Sequence, residues 1–321
     1  MKAAVLHQLG DPPRFEDFPD PTPEKDEVII QVKAASLTPI SKMRASGSHY
    51  DSYQELPVVC GVDGVGLLGD GARVYCGGCR PPYGMLAERT VVPRSWCLPI
   101  PDGVDDTTAA ALPNPALSSW LALIFRAHLQ PGETVLVLGA TGVAGKLAIQ
   151  IAKHLGAGRV VAAGRNTRGF QTVLDLGADA IISLDQPDQA LAAAFVHEAR
   201  YKRFDIILDY LWGRPAEVLL DALTGHDVLA EASRSRFVSI GETAGATISL
   251  ASRALRSSGL ELYGSGGGSI APQAIFETFP QLWTLAARGR LHIETESVPL
   301  ADVEDAWQRR DGRSHRLVLI P

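Results

Sequence analysis

Sulfur is scarce in this chain, and long apolar runs are missing. Its four cysteines, Cys60, Cys76, Cys79 and Cys97, stand in 321 residues, too few for a disulfide framework in a chain of this length. No uncharged apolar stretch reaches the roughly 18 residues that a membrane span needs. The opening MKAAVLHQLGDPP has only a short apolar run before Asp11 and two prolines, so no secretory leader is expected. A cytoplasmic location without membrane attachment is the expectation. Positive charge is not in excess either: 30 Lys and Arg face 36 Asp and Glu, a net charge of −6. No basic tail or stripe appears, which argues against a nucleic-acid partner. Internal repeats and low-complexity segments are also absent. What remains is an ordinary globular composition, 46% hydrophobic and 21% charged, long enough for two domains or one large one.

The texture changes near Asp105. Before it, short strand-like runs such as Glu27–Lys33 and Ala72–Cys76 lie among prolines and the glycine-rich GVDGVGLLGDG, 61–71, which reads as a β-rich domain. Asp105 to Thr108 offer helix caps before AAAL, and 118–129 reads as a helix. Strands and helices then alternate. Thr134–Leu138, Arg159–Ala163, Ala180–Ser183, Phe204–Leu208 and Arg236–Ile240 are short and apolar, which implies an α/β fold with a doubly wound parallel sheet covered on both faces. Leu260–Tyr263 and Arg316–Ile320 read as strands. Residues 272–288 read as a helix that Pro280 should kink or split.

The first turn of the α/β half is Gly139-Ala140-Thr141-Gly142-Val143-Ala144-Gly145, set between strand VLVL and helix KLAIQIAKHL. Glycines there allow a tight turn and close approach of a pyrophosphate. Free N–H groups and the helix dipole would then hold the anion. A purely structural turn is the alternative. Just beyond the second strand stand Gly164, Arg165, Asn166, Thr167 and Arg168, with no acid until Asp175. NAD-selective folds place an acid there for the ribose 2′-hydroxyl. Guanidinium groups instead suit a 2′-phosphate, which they can grip through two oxygens, so NADPH is the expected cofactor. Two solvated surface arginines are the alternative. Gly241, after strand FVSI, and Gly264-Ser265, opening a run of near-bare backbone, are candidates for the cofactor's far end.

Motifs along nearly the whole length resemble the medium-chain dehydrogenase/reductase superfamily, in its zinc-independent quinone oxidoreductase form. They are the opening segment, PVVCGVDGVG (57–66), GMLAE (84–88), AAALP (109–113), FDIILD (204–209) and VPLADVEDA (298–306). The resemblance implies a Rossmann domain inserted in a GroES-like, β-rich catalytic domain. Residues 1–113 would form the first part of the catalytic domain and 114–257 the NADP-binding domain. Residues 258–321 would return the chain, supplying an edge strand of the cofactor domain and the rest of the catalytic one. It implies a homodimer joined through that edge strand. It also implies hydride transfer from NADPH to a quinone, enone or alkenal.

Zinc-dependent relatives carry a catalytic cysteine and a Gly-His-Glu motif. The matching places read Ala35-Ser-Leu-Thr-Pro39 and Gly61-Val62-Asp63, so no metal is expected. Cys76-Gly-Gly-Cys79 reads as two inert thiols, with a reversible disulfide as the alternative. Hydride addition to an enone leaves an enolate that needs a hydrogen-bond donor and a proton. Tyr50 leads the candidates, with Lys42 next; Tyr53 and His49 are close by, and a plain surface loop is the alternative. Thr38 replaces an asparagine that many relatives place near the nicotinamide ribose, and Asn114 falls in Leu112-Pro-Asn-Pro115. An NADPH-sensing protein with little turnover would need the same turn and arginines. An enoyl-CoA reductase would need a basic rim, for which Lys42 and Arg44 are the only candidates.

Overall fold

The computed structural model describes residues 1–224, 234–256, 258–309 and 314–321. Its chain divides into two compact units, Met1–Asn114 with Pro280–Pro321, and Pro115–Phe279. Residue 257, where the sequence reading ends the cofactor domain, lies outside the described residues.

In the Pro115–Phe279 unit the apolar runs dictate the sheet. Thr134–Leu138 is buried at every position, as is Arg159–Gly164. A strand buried on both faces needs helices on each side, which is the parallel-sheet arrangement. Six parallel strands form it, in the order Ala180–Ser183, Arg159–Gly164, Thr134–Leu138, Ile206–Asp209, Ser235–Ser239, Leu260–Gly264. Numbered along the chain that order is 3-2-1-4-5-6, the doubly wound Rossmann pattern. Its core joins Leu136, Leu138, Val161, Phe195, Phe204 and Phe237. The direction of the chain's progress across the sheet reverses between Thr134–Leu138 and Ile206–Asp209.

The other unit is built mainly from antiparallel strands. Arg14–Asp17, Lys2–Leu6 and Val58–Val59 make a three-stranded sheet. In a seven-stranded sheet the long strand Glu27–Ser36 pairs with Asp63–Leu67, Arg89–Pro93 and Arg316–Ile320. The C-terminal strand and strands from the first hundred residues therefore share one sheet. Asp105 caps helix Asp106–Ala111 by accepting from the Thr108 N–H at 2.9 Å.

One helix departs from expectation, and a second does so in part, being unsplit. In place of a helix over 118–129, an α-helix spans Pro113–Leu121 and a π-helical stretch Ala122–Arg126 follows. Pro113 and Pro115 lie in the first turn, where a missing N–H costs nothing. Pro272–Ala287 runs through Pro280 as one helix. Burial of Phe279, Leu282, Trp283 and Leu285 outweighs the roughly 3 kcal/mol that an interior proline costs. Trp283 packs edge-on against Tyr75 with ring centres 5.2 Å apart.

Candidate active site

Gly139 takes φ +90, a left-handed value suited to glycine, and turns the chain off the first parallel strand. The N–H groups of Gly139 and Ala140 both donate to the Ala163 carbonyl at 2.9 Å, which ties the turn to the neighbouring strand. Helix Val143–His154 begins at Gly142, with no side-chain cap. The N–H groups of its first turn thus lack an intrahelical partner and face outward with the positive end of the dipole. Thr141 is half-buried and Ala144 likewise. Gly145 is a close-packing position: a Cβ there would lie 2.3 Å from the Gly139 oxygen. The turn is a cradle that fits a pyrophosphate and that one added methyl would fill.

Gly164 ends the second strand against the same turn. A Cβ on Gly164 would stand 2.7 Å from Thr141 Cγ2. Arg165, Asn166, Thr167 and Arg168 follow, all exposed, with Thr167–Gly169 forming a single 3₁₀ turn. Neither guanidinium pairs with a carboxylate among the described residues. Two uncommitted cations beside the phosphate cradle suit a further phosphate.

Ile206–Asp209 ends beside the turn, on the other side of the reversal point. Asp209 is fully buried and accepts from the Leu211 N–H at 2.8 Å and the Trp212 N–H at 3.0 Å. In sequence Asp209 stands out only as the last residue of the FDIILD motif, and Tyr210 to Trp212 carry no signal but their place directly after an apolar strand. Gly241 follows Ser235–Ser239 and donates to the Asp209 carbonyl at 3.2 Å. Gly264 ends the edge strand and Ser265 donates its N–H to the Ser239 carbonyl at 2.9 Å. The candidates in this unit thus gather at the carboxyl ends of the parallel strands, where such sheets bind ligands.

In the Met1–Asn114 unit, Thr38 is buried and caps helix Pro39–Ser46, its hydroxyl accepting from the Ser41 N–H at 3.1 Å. Lys42 lies on that helix and its Nζ donates to the Trp307 carbonyl at 2.7 Å. Arg44 donates to the Asp51 carbonyl at 2.8 Å. Both cations of the suggested CoA rim are therefore engaged within the protein. Tyr50 is 83% exposed and lies tilted against His49, with 4.1 Å between ring centres. Tyr53 is partly buried beneath the Arg44 guanidinium, and burial holds its hydroxyl above the ordinary tyrosine range. Asn114 is half-buried near the start of Pro113–Leu121.

The zinc-binding dehydrogenase family matches residues 143–288. A probable NADPH-dependent quinone reductase of Emericella nidulans is 26% identical over the whole of both chains. The chloroplastic NADPH-dependent alkenal/one oxidoreductase of Arabidopsis thaliana is 32% identical, over 50% of this chain and 46% of that protein. The quinone oxidoreductase of Thermus thermophilus, solved also in complex with NADPH, superposes with a TM-score of 0.81 at 30% identity, covering all of both chains. This chain belongs to the quinone oxidoreductase family of medium-chain dehydrogenases/reductases.

Zinc, which the broader family's description implies, does not fit this quinone oxidoreductase chain. At the motif position Asp63 accepts from the Tyr75 hydroxyl at 2.8 Å. All four cysteines are free. Burial pushes Cys60 up to about 12, Cys79 up to about 11, and Cys76 and Cys97 above the ordinary range. Neutral thiols are weak nucleophiles. Among the described residues no three His, Cys, Asp or Glu converge as a metal site.

Burial also pushes Asp209 up to about 6, against the pull of the Leu211 and Trp212 N–H groups. The folded value exceeds the ordinary one. The stability that protonation contributes is complete below about pH 4 and is lost as pH rises through about 6. Asp209→Asn has no such loss. Relative to wild type it should gain stability between about pH 4 and pH 7, by on the order of 3 kcal/mol. Urea unfolding of both proteins at the two pH values checks this; a constant difference would show that Asp209 does not titrate in that range.

Proposed function

We propose that this chain is an NADPH-dependent oxidoreductase that transfers a hydride to a quinone or an α,β-unsaturated carbonyl compound without a metal. The observation that carries the reading is the exposed arginine pair, Arg165 and Arg168, without carboxylate partners and set beside a glycine cradle. The named activities of the fungal, plant and bacterial relatives support it, and all three are named as reductases or oxidoreductases. Bound NADPH supplies a hydride from nicotinamide C4. The chain's own residues bind and orient. The first-turn N–H groups from Val143 to Gly145 hold the pyrophosphate. Arg165, Asn166 and Arg168 hold the 2′-phosphate, and Gly241, Gly264 and Ser265 border the far half. Thr38 and Asn114 are assigned to the nicotinamide side.

For an enone substrate the Tyr50 hydroxyl is assigned as the donor to the enolate oxygen, and Lys42 as the second candidate. Tyr50 makes no hydrogen bond among the described residues, so its proton is available. The test follows NADPH absorbance with panels of quinones and enones. Substrate-dependent oxidation is expected. Tyr50→Phe should lower kcat for enones by about a hundredfold. Quinones should be affected much less, because a hydroquinone anion is a weaker base than an enolate. No NADPH consumption with any member of either panel would sink the reading.

The same reading includes a homodimer through Leu260–Gly264, which lies at the open edge of the six-stranded sheet. It also places the chain in the cytoplasm, in keeping with four free thiols. No helix among the described residues is long and apolar enough to cross a membrane.

A further inference from the structure

Trp212 takes φ 55 and ψ −158, a backbone combination that essentially only glycine adopts. Such a conformation persists only where its surroundings hold it. Here the holds can be named. The Asp209 carboxylate accepts from the Leu211 and Trp212 N–H groups. Tyr210 Oη and Ser119 Oγ share a hydrogen bond of 2.7 Å, and Ser119 is fully buried on helix Pro113–Leu121. Ala244 donates its N–H to the Leu211 carbonyl at 2.7 Å, and Thr243 Oγ1 donates to the Tyr210 carbonyl at 3.1 Å.

The turn so held has no slack on either side. A Cβ on Gly139 would stand 3.1 Å from Leu211 Cδ2 and 3.3 Å from Tyr210 Cβ. A Cβ on Gly241 would stand 2.8 Å from the Tyr210 carbonyl oxygen. Residues 210–213 are therefore a wedge between the turn after the first strand and the turn after the fifth. The wedge sits where the strand order reverses, the point at which a dinucleotide crosses such a sheet.

We propose that Asp209 and Tyr210 are positioning residues: they lock this wedge, set the distance between the Gly139 and Gly241 turns, and so align the two halves of the bound dinucleotide. The proposal rests on the NADPH reading above. A residue that merely supports the fold would weaken every ligand together. A residue that sets spacing weakens only a ligand that spans both turns.

The test measures, by calorimetry, binding of NADPH and of 2′,5′-ADP, which carries the 2′-phosphate but lacks the nicotinamide half. Asp209→Ala removes the acceptor that holds the Leu211 and Trp212 N–H groups, and Tyr210→Phe removes only the hydroxyl that bonds Ser119. Each should weaken NADPH by about tenfold while 2′,5′-ADP stays within about twofold. Equal losses for both ligands, or no loss for either, would overturn the proposal. A wild-type protein that binds neither ligand would end the NADPH reading and this inference with it, and that result is distinct from the other two.

Discussion

Arg165→Ala should weaken NADPH binding by about tenfold to a hundredfold and leave NADH within about twofold. The magnitude is that of one charge-assisted hydrogen-bonding group, about 1.5–3 kcal/mol. The selectivity follows from position. Arg165 directly follows Gly164, which packs against Thr141 of the phosphate turn, while the segment up to Asp175 has no carboxylate to accept from a free 2′-hydroxyl. Arg165→Lys should lose part of the effect, since an ammonium cannot present two parallel donors. Arg168→Ala should show the same selectivity, because Arg168 is exposed on the next turn. Both side chains are solvated, so the preference for NADPH should shrink as salt is raised. Calorimetry with the two cofactors at two ionic strengths measures all of this. Equal losses for both cofactors on replacing Arg165 would remove it from the 2′-phosphate site.

Gly145→Ala should lower NADPH affinity by about a hundredfold or more and also lower the melting temperature. Its new Cβ would meet the Gly139 oxygen at 2.3 Å and Ala140 Cα at 2.5 Å. Those are backbone atoms of the phosphate turn, with no flexible side chain to swing aside. Relief requires the helix to retreat from the strand or the turn to open, and either moves the N–H groups that hold the anion. Gly69→Ala is the control: it is exposed, and a Cβ there meets nothing within 4 Å. Matched binding and melting measurements on the two variants check the contrast. Unchanged NADPH binding by Gly145→Ala would show that the turn tolerates displacement and is not the cradle.

Much of the cofactor side was legible without coordinates. The runs TVLVL and RVVAAG are apolar at nearly every position, and only a parallel sheet covered on both faces buries such strands. A glycine turn between the first of these and a helix marks the proposed phosphate site in sequence, because the requirement is local: backbone conformation and the lack of a Cβ. The arginines were legible for the same reason, as residues immediately after a strand that surfaces there. Other features were hidden. That Lys42 donates to the carbonyl of Trp307 depends on two segments far apart in the chain. Pro280 was expected to kink or split its helix; the apolar face of Phe279, Leu282 and Trp283 carries it through unsplit.

Sequence alone determined the alternation of strand and helix, the position of the glycine turn and the two cations beyond the second strand. Each of these follows from the covalent order of side chains over a few residues. Only the tertiary structure decided the order of the six strands, the wedge of residues 210–213 between two glycine turns, and the commitment of Thr38 and Lys42 to partners of their own. Those outcomes depend on which distant surfaces bury one another, and a strained Trp212 is tolerated because Asp209, Ser119, Thr243 and Ala244 together hold the turn around it. Packing free energy is shared among groups brought together from across the chain, so no single stretch of sequence displays it.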